Sequence, residues 1–410
     1  MSYRHLLRQH GGIVLLGYGL GFLSSVGQTF FISLSGPDLR ATFGLSNGAF
    51  GSIYSLATLC SGLIMIWAGG VLDRVSTRAY AGVALAGLGF CALGLSLAPS
   101  VVVVGLCLFG LRFFGQGMIA HAAVTAAARL PQGIRGRAVS IVALGFSSGE
   151  FLLPGLVLLV IATWGWVFQW RIAALVLFSV LAVVLTTTVL ADRRARRMAA
   201  AGAAPAPDAA PAPAVKLIGR RDVLKDWRFL VFIPSMIAPS AIVTGIFFHQ
   251  RLLADIFGWS LEALAFGIPA YAGAAICTNM VIGWLVDRFR AVRVCRFHLV
   301  FLAIAALTMM SPDGPPHPIV FFALLGVSSA ANGVVVPAVL AELYGTERLG
   351  TIRALAGAIG VVGSASTPGL FGFVLDAKVG LASLAIGCAI YLAVASALNW
   401  LIAAGPAKRS

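Results

Sequence analysis

The stretch "GGVLDRVSTR", residues 69–78, sets an Asp-Arg pair directly after a long apolar segment. A second stretch, "GWLVDRFRAVR" at residues 283–293, carries the same G-x-x-x-D-R pattern at an offset of 214 residues. Charge is scarce elsewhere, since 10% of the 410 residues are charged and 60% are hydrophobic. A soluble domain carries about 25% charged residues, so the composition predicts a membrane protein whose charged stretches mark the ends of membrane helices.

The same offset relates further paired residues in the two parts of the chain. It places "FGLS" (43–46) on "FGWS" (257–260), and Pro154-Gly155 on Pro368-Gly369. Because one ungapped offset relates paired residues from position 43 to position 155, we interpret the chain as a direct internal repeat.

Apolar runs of bilayer-spanning length, roughly 20 residues each, recur along the whole chain. Six crossings return the chain to the membrane face where it started, so two repeats of six helices share one orientation around a central cavity. We therefore predict an all-α polytopic membrane protein with two parallel six-helix halves. Its twelve predicted transmembrane helices cover residues 11–34, 47–71, 79–98, 101–128, 137–161, 168–190, 229–250, 261–286, 292–310, 317–343, 351–375 and 380–403.

The basic residues predict the orientation. Of the 29 Lys and Arg residues, 24 fall in the termini and in alternate connections, a distribution typical of the cytoplasmic side. The sequence thus predicts a bacterial-type inner-membrane protein with both termini in the cytoplasm. The same distribution accounts for the net charge of +15 without a nucleic-acid partner, and the six scattered cysteines lack the spacing of a metal site.

Residues 191–227 differ in composition from the rest of the chain. They combine two basic patches with an Ala/Pro tract, "AAAGAAPAPDAAPAPA", which cannot bury a core and is typical of a mobile linker. The predicted organisation is an N-terminal bundle at 1–190, this linker, and a C-terminal bundle at 228–410. A lipid-headgroup or partner site in the linker is the alternative interpretation.

Two six-helix halves, a long basic linker and G-x-x-x-D-R between helices 2 and 3 resemble the major facilitator superfamily over nearly the whole chain. The resemblance implies a secondary transporter in which these loop residues latch the cytoplasmic helix ends in the outward-open state; simple interfacial anchoring is the alternative. The first copy departs from the family motif at Ser76, which stands at a Gly position. The implied gating residues are Gly69, Asp73, Arg74 and Arg78 in the first copy, and Gly283, Asp287 and Arg288 in the second.

The stretch "AELYGTERLGTIRALAGAIGVVGSASTPGLFGFVLD", residues 341–376, resembles helices 10 and 11 of bacterial monocarboxylate and oxalate/formate porters. This resemblance implies a small organic anion as substrate. The sequence departs from those carriers in helix 8, where they place a substrate-binding Arg. Here the eighth predicted helix offers only Tyr271, Thr278 and Asn279 before its terminal motif.

Two ionisable residues lie near the bilayer midplane, where charge is costly and usually functional. Counting 1.5 Å per residue from the nearest turns puts Arg112 about 18 Å and Glu150 about 20 Å deep, from opposite faces. The repeat places Gly326 and Ser364 at the equivalent positions, so the fold itself does not require these charges. We predict Glu150 as a proton acceptor and Arg112 as a substrate-anion ligand or as the charge that tunes Glu150. A buried ion pair joining helices 4 and 5 is the alternative.

Local motifs around these residues bear further resemblances. "LRFFGQG" (111–117) is similar to the superfamily's helix 4 Arg motif, which is linked to proton coupling. "GFSSGEFLLPG" (145–155) resembles the helix 5 motif of antiporters, except that Glu150 replaces its Gly-Pro step. His121 is a candidate proton relay, with helix packing or contact with water as the alternative.

Uncharged polar residues in the predicted spans are candidates to complete a pocket. His249 and Arg251 follow helix 7 on the outer side, where they either meet an incoming anion or anchor the interface. The substrate-binding candidates besides Arg112 are Gln116, Gln28, Tyr54, Tyr271, Asn279 and Asn332.

The sequence therefore predicts a monomeric, proton-coupled secondary transporter of a small organic solute, with no cofactor. Efflux of a drug-like or cationic metabolite is the alternative, because a single acid in an apolar cavity suits a cation. The sequence contains no Walker Gly-Lys-Ser/Thr loop, so we do not expect ATP hydrolysis. It also shows no nucleophile–base set and no metal cluster of the kind that an enzyme would need.

Overall fold

The computed structural model describes residues 3–72, 74–130, 132–200, 220–311, 317–345, 349–377 and 380–404, and within these ranges the chain is helical without β-strands. Eleven helices in these ranges are long and apolar enough to cross a membrane. One further helix, the ninth in chain order, is shorter, and with it the number of helices equals the predicted twelve. The membrane helices are α1 (Tyr3–Leu23), α2 (Asn47–Val71), α3 (Thr77–Ser96), α4 (Val101–Ala128), α5 (Gln132–Trp164), α6 (Trp166–Ala200), α7 (Trp227–Phe248), α8 (Leu261–Phe289), α9 (Val300–Thr308), α10 (Pro318–Tyr344), α11 (Leu349–Asp376) and α12 (Leu381–Ala404).

The repeat reappears as matched helix caps. Gly44 and Gly258 adopt left-handed φ angles of 64° and 65°, and each ends a short helix just before α2 or α8. Two residues later, Ser46 and Ser260 accept hydrogen bonds from the backbone amides three positions further on, at 3.2 and 3.1 Å. The "FGxS" pair is thus a stop signal followed by a start signal.

The ninth predicted helix, 292–310, is interrupted. A short helix, Ala291–Val294, is followed by turns up to α9. The imidazole Nδ1–H of His298 donates to the carbonyl of Cys295 at 2.7 Å, and Asn399 Nδ2 donates to the same carbonyl at 2.9 Å. Since side-chain bonds occupy a carbonyl that a continuous helix would use, they favour the interruption.

The start of the predicted linker is helical. Helix α6 continues to Ala200, ten residues beyond the predicted end at 190, and Arg220–Lys225 forms a short helix before α7. The Ala/Pro tract lies outside the described residues from position 201 onward.

The prediction of one continuous helix over 11–34 is wrong. Helix α1 ends at Leu23, Ser24–Gly27 forms a 3₁₀ turn, and Gln28 is extended, with φ −87° and ψ 154°. Gly27 presses against α4 so closely that a Cβ atom would overlap the Leu111 carbonyl. The break therefore coincides with the closest approach of α1 to α4, and it leaves the Gly27 carbonyl for a side-chain partner.

Twelve crossings put the start of α1 and the end of α12 on one membrane face, here called the terminal face; the opposite one is the far face. Hydrogen bonds joining the two halves cluster at the far face. Ser33 and Phe247 occupy equivalent positions of the repeat, and the Ser33 hydroxyl donates to the Phe247 carbonyl at 2.7 Å. Equivalent positions meet only near the pseudo-two-fold axis, so that axis passes through this closed face. Other bonds between the halves include Gln250 to Phe30, Arg251 to Asp38, and the Asn47 and Gly48 amides to Asp376.

Helices α2 and α11 cross at the far face with their backbones in close contact. A Cβ atom at Gly51 would overlap the Pro368 carbonyl, and one at Gly372 would meet the Asn47 carbonyl at 2.5 Å. Small residues permit this approach between membrane helices. The closed far face therefore depends on glycine at these positions.

We expect Gly51→Val to shift the protein toward a state with an open far face, because valine cannot fit against the Pro368 backbone. Spin labels at Thr42 and Ala377, both exposed, should report a longer mean distance than in the parent protein. Gly70→Val is the matched control, since a Cβ at Gly70 meets nothing within 4 Å. An unchanged distance distribution in Gly51→Val would contradict the assignment.

Candidate substrate site

A central cavity of about 530 Å³ lies between α2, α4 and α11. It spans both halves, as expected for a transporter site. It extends toward the terminal face, where His121 is exposed. The polar side chains that line it are Thr58, Ser61, Arg112, Gln116, His121 and Ser364.

Arg112 is the most deeply buried charged group at this cavity, with 1% of its surface exposed. Its Nη1 donates to the Gly27 carbonyl at 3.1 Å and to the Thr29 hydroxyl at 3.5 Å. The guanidinium also lies 5.3 Å from the centre of the Tyr54 ring. Its Nε has no hydrogen-bond partner, and no described carboxylate forms an ion pair with it. Among the described residues, the groups that contact this positive charge are neutral.

Local backbone geometry positions Arg112. The segment Leu111–Ile119 of α4 is a π-helix, a feature that is frequent at functional sites. The 3.1 Å bond from Arg112 satisfies the Gly27 carbonyl at the break in α1. The Arg112 guanidinium thus joins the π-helical segment of α4 to the non-helical segment that follows α1.

Tyr54 connects Arg112 to the closed far face. Its hydroxyl shares a 2.8 Å hydrogen bond with Thr29, and its ring lies 4.6 Å from that of Phe248 at the end of α7. The Phe248 ring also stacks on Phe50, at 5.3 Å. A change at the Arg112 site therefore has a packed route to the seam between the halves.

Glu150 lies at a different place from Arg112. It is half-buried on α5, does not line the central cavity, and forms no ion pair with Arg112. Its carboxylate acts electrostatically on Tyr271 of α8. The structure thus does not support the alternative of an ion pair between α4 and α5, and Glu150 lies where α5 of one half meets α8 of the other.

Four other predicted pocket residues lie in four different places. Gln28 is the extended residue at the break in α1. Tyr271 packs edge-on against Phe247 at 5.0 Å, beside the seam rather than in the cavity lining. Asn279 is exposed, and Asn332 interacts with His298 inside the second half. Of the predicted residues, the cavity brings together Arg112, Gln116 and His121, and Ser364, the repeat equivalent of Glu150, also lines it.

Two cavity residues, Thr58 and Ser61, were not predicted from the sequence. They follow Tyr54 by four and seven positions and therefore share its face of α2. Met65 continues this face within the cavity lining. This spacing is a signal that could have identified them.

His249 and Arg251 are engaged at the far face in this conformation. His249 is 5% exposed, and its Nε2–H donates to the Pro368 carbonyl at 3.0 Å. Burial lowers the pKa of His249 to about 4, so the imidazole is neutral at pH 7 and does not attract an anion. Arg251 pairs with Asp38 at 2.5 Å.

The two loop motifs have different environments. Asp73 lies outside the described residues, Arg74 and Arg78 are exposed, and Gly69 faces His121. In the first half, Arg129 at the end of α4 donates to the Leu72 carbonyl at 2.8 Å.

In the second half, Asp287 and Arg288 are exposed, and Gly283 has open space around it. The neighbouring Arg290 forms the contact in this loop: its Nε donates a hydrogen bond to Glu342 of α10 at 2.7 Å. Glu342 was not among the predicted gating residues. Each half thus joins the end of its fourth helix to the loop after its second.

A twelve-helix bundle of two parallel halves, with a polar cavity between them, defines a membrane transporter. Comparisons with known proteins agree: the Major Facilitator Superfamily profile matches residues 17–368 and 240–410. The chain belongs to the Major Facilitator Superfamily.

A curated relative is the MFS transporter asaE of Aspergillus flavus, 23% identical over 246 residues. The match covers 59% of this chain and 52% of that protein, so the chain spans about half the length of this relative. Two crystal structures of a bacterial homologue of the human lysosomal transporter Spinster, both inward-facing, share the fold. The unoccupied one has a TM-score of 0.71 at 15% identity over 96% of both chains, and the occupied one 0.71 at 14% over 97% of both.

Proposed function

We propose that the protein is a secondary active transporter that moves a small organic anion, such as a monocarboxylate, by alternating access coupled to protons. The observation that carries this proposal is Arg112. Its guanidinium is buried at the cavity, and its hydrogen-bond partners in the described part of the chain are neutral. An uncompensated buried charge is costly, so a substrate carboxylate is the group that completes the site.

The rest of the cavity suits a small polar molecule. Gln116 and Ser61 on one half and Ser364 on the other offer neutral hydrogen-bonding groups, while Met65 and Val361 supply apolar walls. A cavity of about 530 Å³ is in the usual range for small-molecule sites. Because the lining comes from both halves, a bound substrate would contact both and favour their movement together.

The positive-inside distribution supports placing the terminal face in the cytoplasm of a bacterial-type inner membrane. With that orientation, the closed far face and the cavity that reaches toward His121 correspond to an inward-open conformation. Glu150, at the seam of α5 and α8, is our candidate for the proton carrier. Its protonation removes a charge from the surface along which the two halves move.

A thermal-stability screen of the purified protein tests the substrate class. Monocarboxylates, dicarboxylates, organic cations and neutral drugs would each be added, and the melting temperature measured. A ligand at 100 times its Kd stabilises the folded state by about 2.7 kcal/mol, so we expect a clear upward shift with carboxylates. Stabilisation by cations alone would contradict the proposal and favour the alternative of cation efflux, for which Glu150 offers an unpaired acid.

A further inference from the structure

The lining of the central cavity changes from polar to apolar between its inner end and its mouth. Helices α2 and α4 run from the far face to the terminal face and α11 runs back, so the order of lining residues along each helix gives their depth. The innermost lining residues of the three helices are all polar: Thr58, Arg112 and Ser364. From Gly62 outward on α2 and from Val361 outward on α11, the lining residues are all apolar. They are Gly62, Met65, Ile66, Val361, Ala358 and Gly357, here called the outer wall.

Exposure increases in the same direction. Thr58 and Arg112 are 2% and 1% exposed, whereas Ile66 on the outer wall is 59% exposed. Thr58 and Ile66 are eight positions apart on α2, which corresponds to about 12 Å along the helix. A formate or acetate ion at the inner end would leave the outer wall in contact with water. A substrate with an apolar part would cover that wall and gain the free energy of removing it from water.

The π-helix of α4 aligns the lining residues of this helix with the cavity. Arg112, Gln116 and His121 follow one another at spacings of four and five positions, which share one face of a helix with i→i+5 hydrogen bonds. At 3.6 residues per turn, nine positions would make about two and a half turns, and His121 would point away from Arg112. The wider turns instead place His121 at the mouth and Arg112 and Gln116 further in.

The inner end offers hydrogen-bond donors for one carboxylate. The Ser61 and Ser364 hydroxyls donate to carbonyls of their own helices at 2.9 and 3.0 Å, so their protons are already used. Gln116 is half-buried, and its amide forms no hydrogen bond within the described part of the chain. Its N–H groups and the Arg112 guanidinium can together meet the two oxygens of a carboxylate.

We propose that the substrate is a monocarboxylate with an unbranched alkyl tail, bound with its carboxylate toward Arg112 and Gln116 and its tail along the outer wall. This inference rests on the proposed function, because it takes Arg112 as the anion ligand. The lining contains no carboxylate, so the ammonium group of an amino acid would stay unpaired. A second carboxylate at the end of the tail would lie beside Met65 and Ile66, which disfavours a dicarboxylate unless it reaches His121.

Isothermal titration calorimetry of the full-length protein in nanodiscs tests the proposal, with empty nanodiscs titrated in parallel to subtract partitioning into lipid. The probes are propionate, butyrate, pentanoate and hexanoate, with adipate as the dicarboxylate that matches hexanoate in length. Each added methylene should tighten binding by about threefold, so hexanoate should bind about 30-fold tighter than propionate. Adipate should bind no tighter than propionate.

Variants of the outer wall should change the dependence on tail length and leave propionate binding unchanged. Met65→Gln keeps the side-chain length but is polar, so it should reduce the gain per methylene. Ala358→Phe occupies the outer part of the cavity and should weaken hexanoate binding to the level of propionate. Val362→Phe is the matched control, since Val362 is 58% exposed on the same helix and does not line the cavity.

The outcomes separate this inference from the proposed function. Equal affinity for all four monocarboxylates, lost in Arg112→Gln, would overturn the alkyl tail and leave Arg112 as the anion ligand. Tighter binding of adipate than of hexanoate would also overturn it, in favour of a dicarboxylate that reaches His121. Binding of no carboxylate at all would overturn the proposed function as well. If Ala358→Phe does not fold, the series in the parent protein and in Met65→Gln decides.

Discussion

Replacing Arg112 with glutamine is expected to reduce uptake of the stabilising organic anion into proteoliposomes by about 100-fold or more. Removing one member of a buried charge pair costs on the order of 3–5 kcal/mol, and each 1.4 kcal/mol is about tenfold in binding. Glutamine is polar and uncharged, so it offers no charge to the substrate. Arg112→Lys should retain part of the activity, because the charge remains while the planar fork is lost.

The measurement is initial uptake rate against substrate concentration, together with the melting temperature of each variant. Arg171→Gln is the matched control, since Arg171 is exposed near the start of α6, toward the far face. Normal kinetics in Arg112→Gln would refute its role as the anion ligand. A variant that melts like the parent protein but neither binds nor transports the anion would support that role.

Replacing Glu150 with glutamine is expected to abolish uptake driven by a pH gradient while leaving counterflow intact. Glutamine resembles the protonated carboxyl in size and polarity but cannot exchange a proton. The halves can therefore still move past each other at the seam with Tyr271, yet a proton gradient supplies no driving force. One pH unit corresponds to about 1.36 kcal/mol per proton, and this is the coupling that the variant should lose.

Both modes of transport are measured in the same proteoliposomes, with and without an imposed gradient. Glu262→Gln serves as the control, because Glu262 is exposed in the first turn of α8. A pH dependence equal to that of the parent protein would reject Glu150 as the proton carrier. Loss of counterflow as well would assign Glu150 to the movement of the halves instead.

The sequence predicted the fold well because its signals are local and periodic. The number of spans follows from runs of apolar residues, and the parallel halves follow from one offset of 214. The caps at Gly44 and Ser46, and at Gly258 and Ser260, confirm that offset as a structural repeat. The sequence also identified Arg112, because a charge in an apolar span that the repeat lacks stands out without any structure.

Only the tertiary structure decided what Arg112 contacts. Its partners Gly27, Thr29 and Tyr54 are on α2 and on the segments around the break after α1, and that break occurs where the backbones of α1 and α4 meet. No local pattern encodes a close approach between segments more than 80 residues apart. Likewise, the sequence predicted that Arg112 and Glu150 lie at similar depth in the membrane. Depth does not determine the direction in which a side chain points around its helix. In the structure Glu150 is on the part of α5 that packs near Tyr271 of α8 and does not line the cavity of Arg112, so the candidate proton site and the candidate anion site are separate.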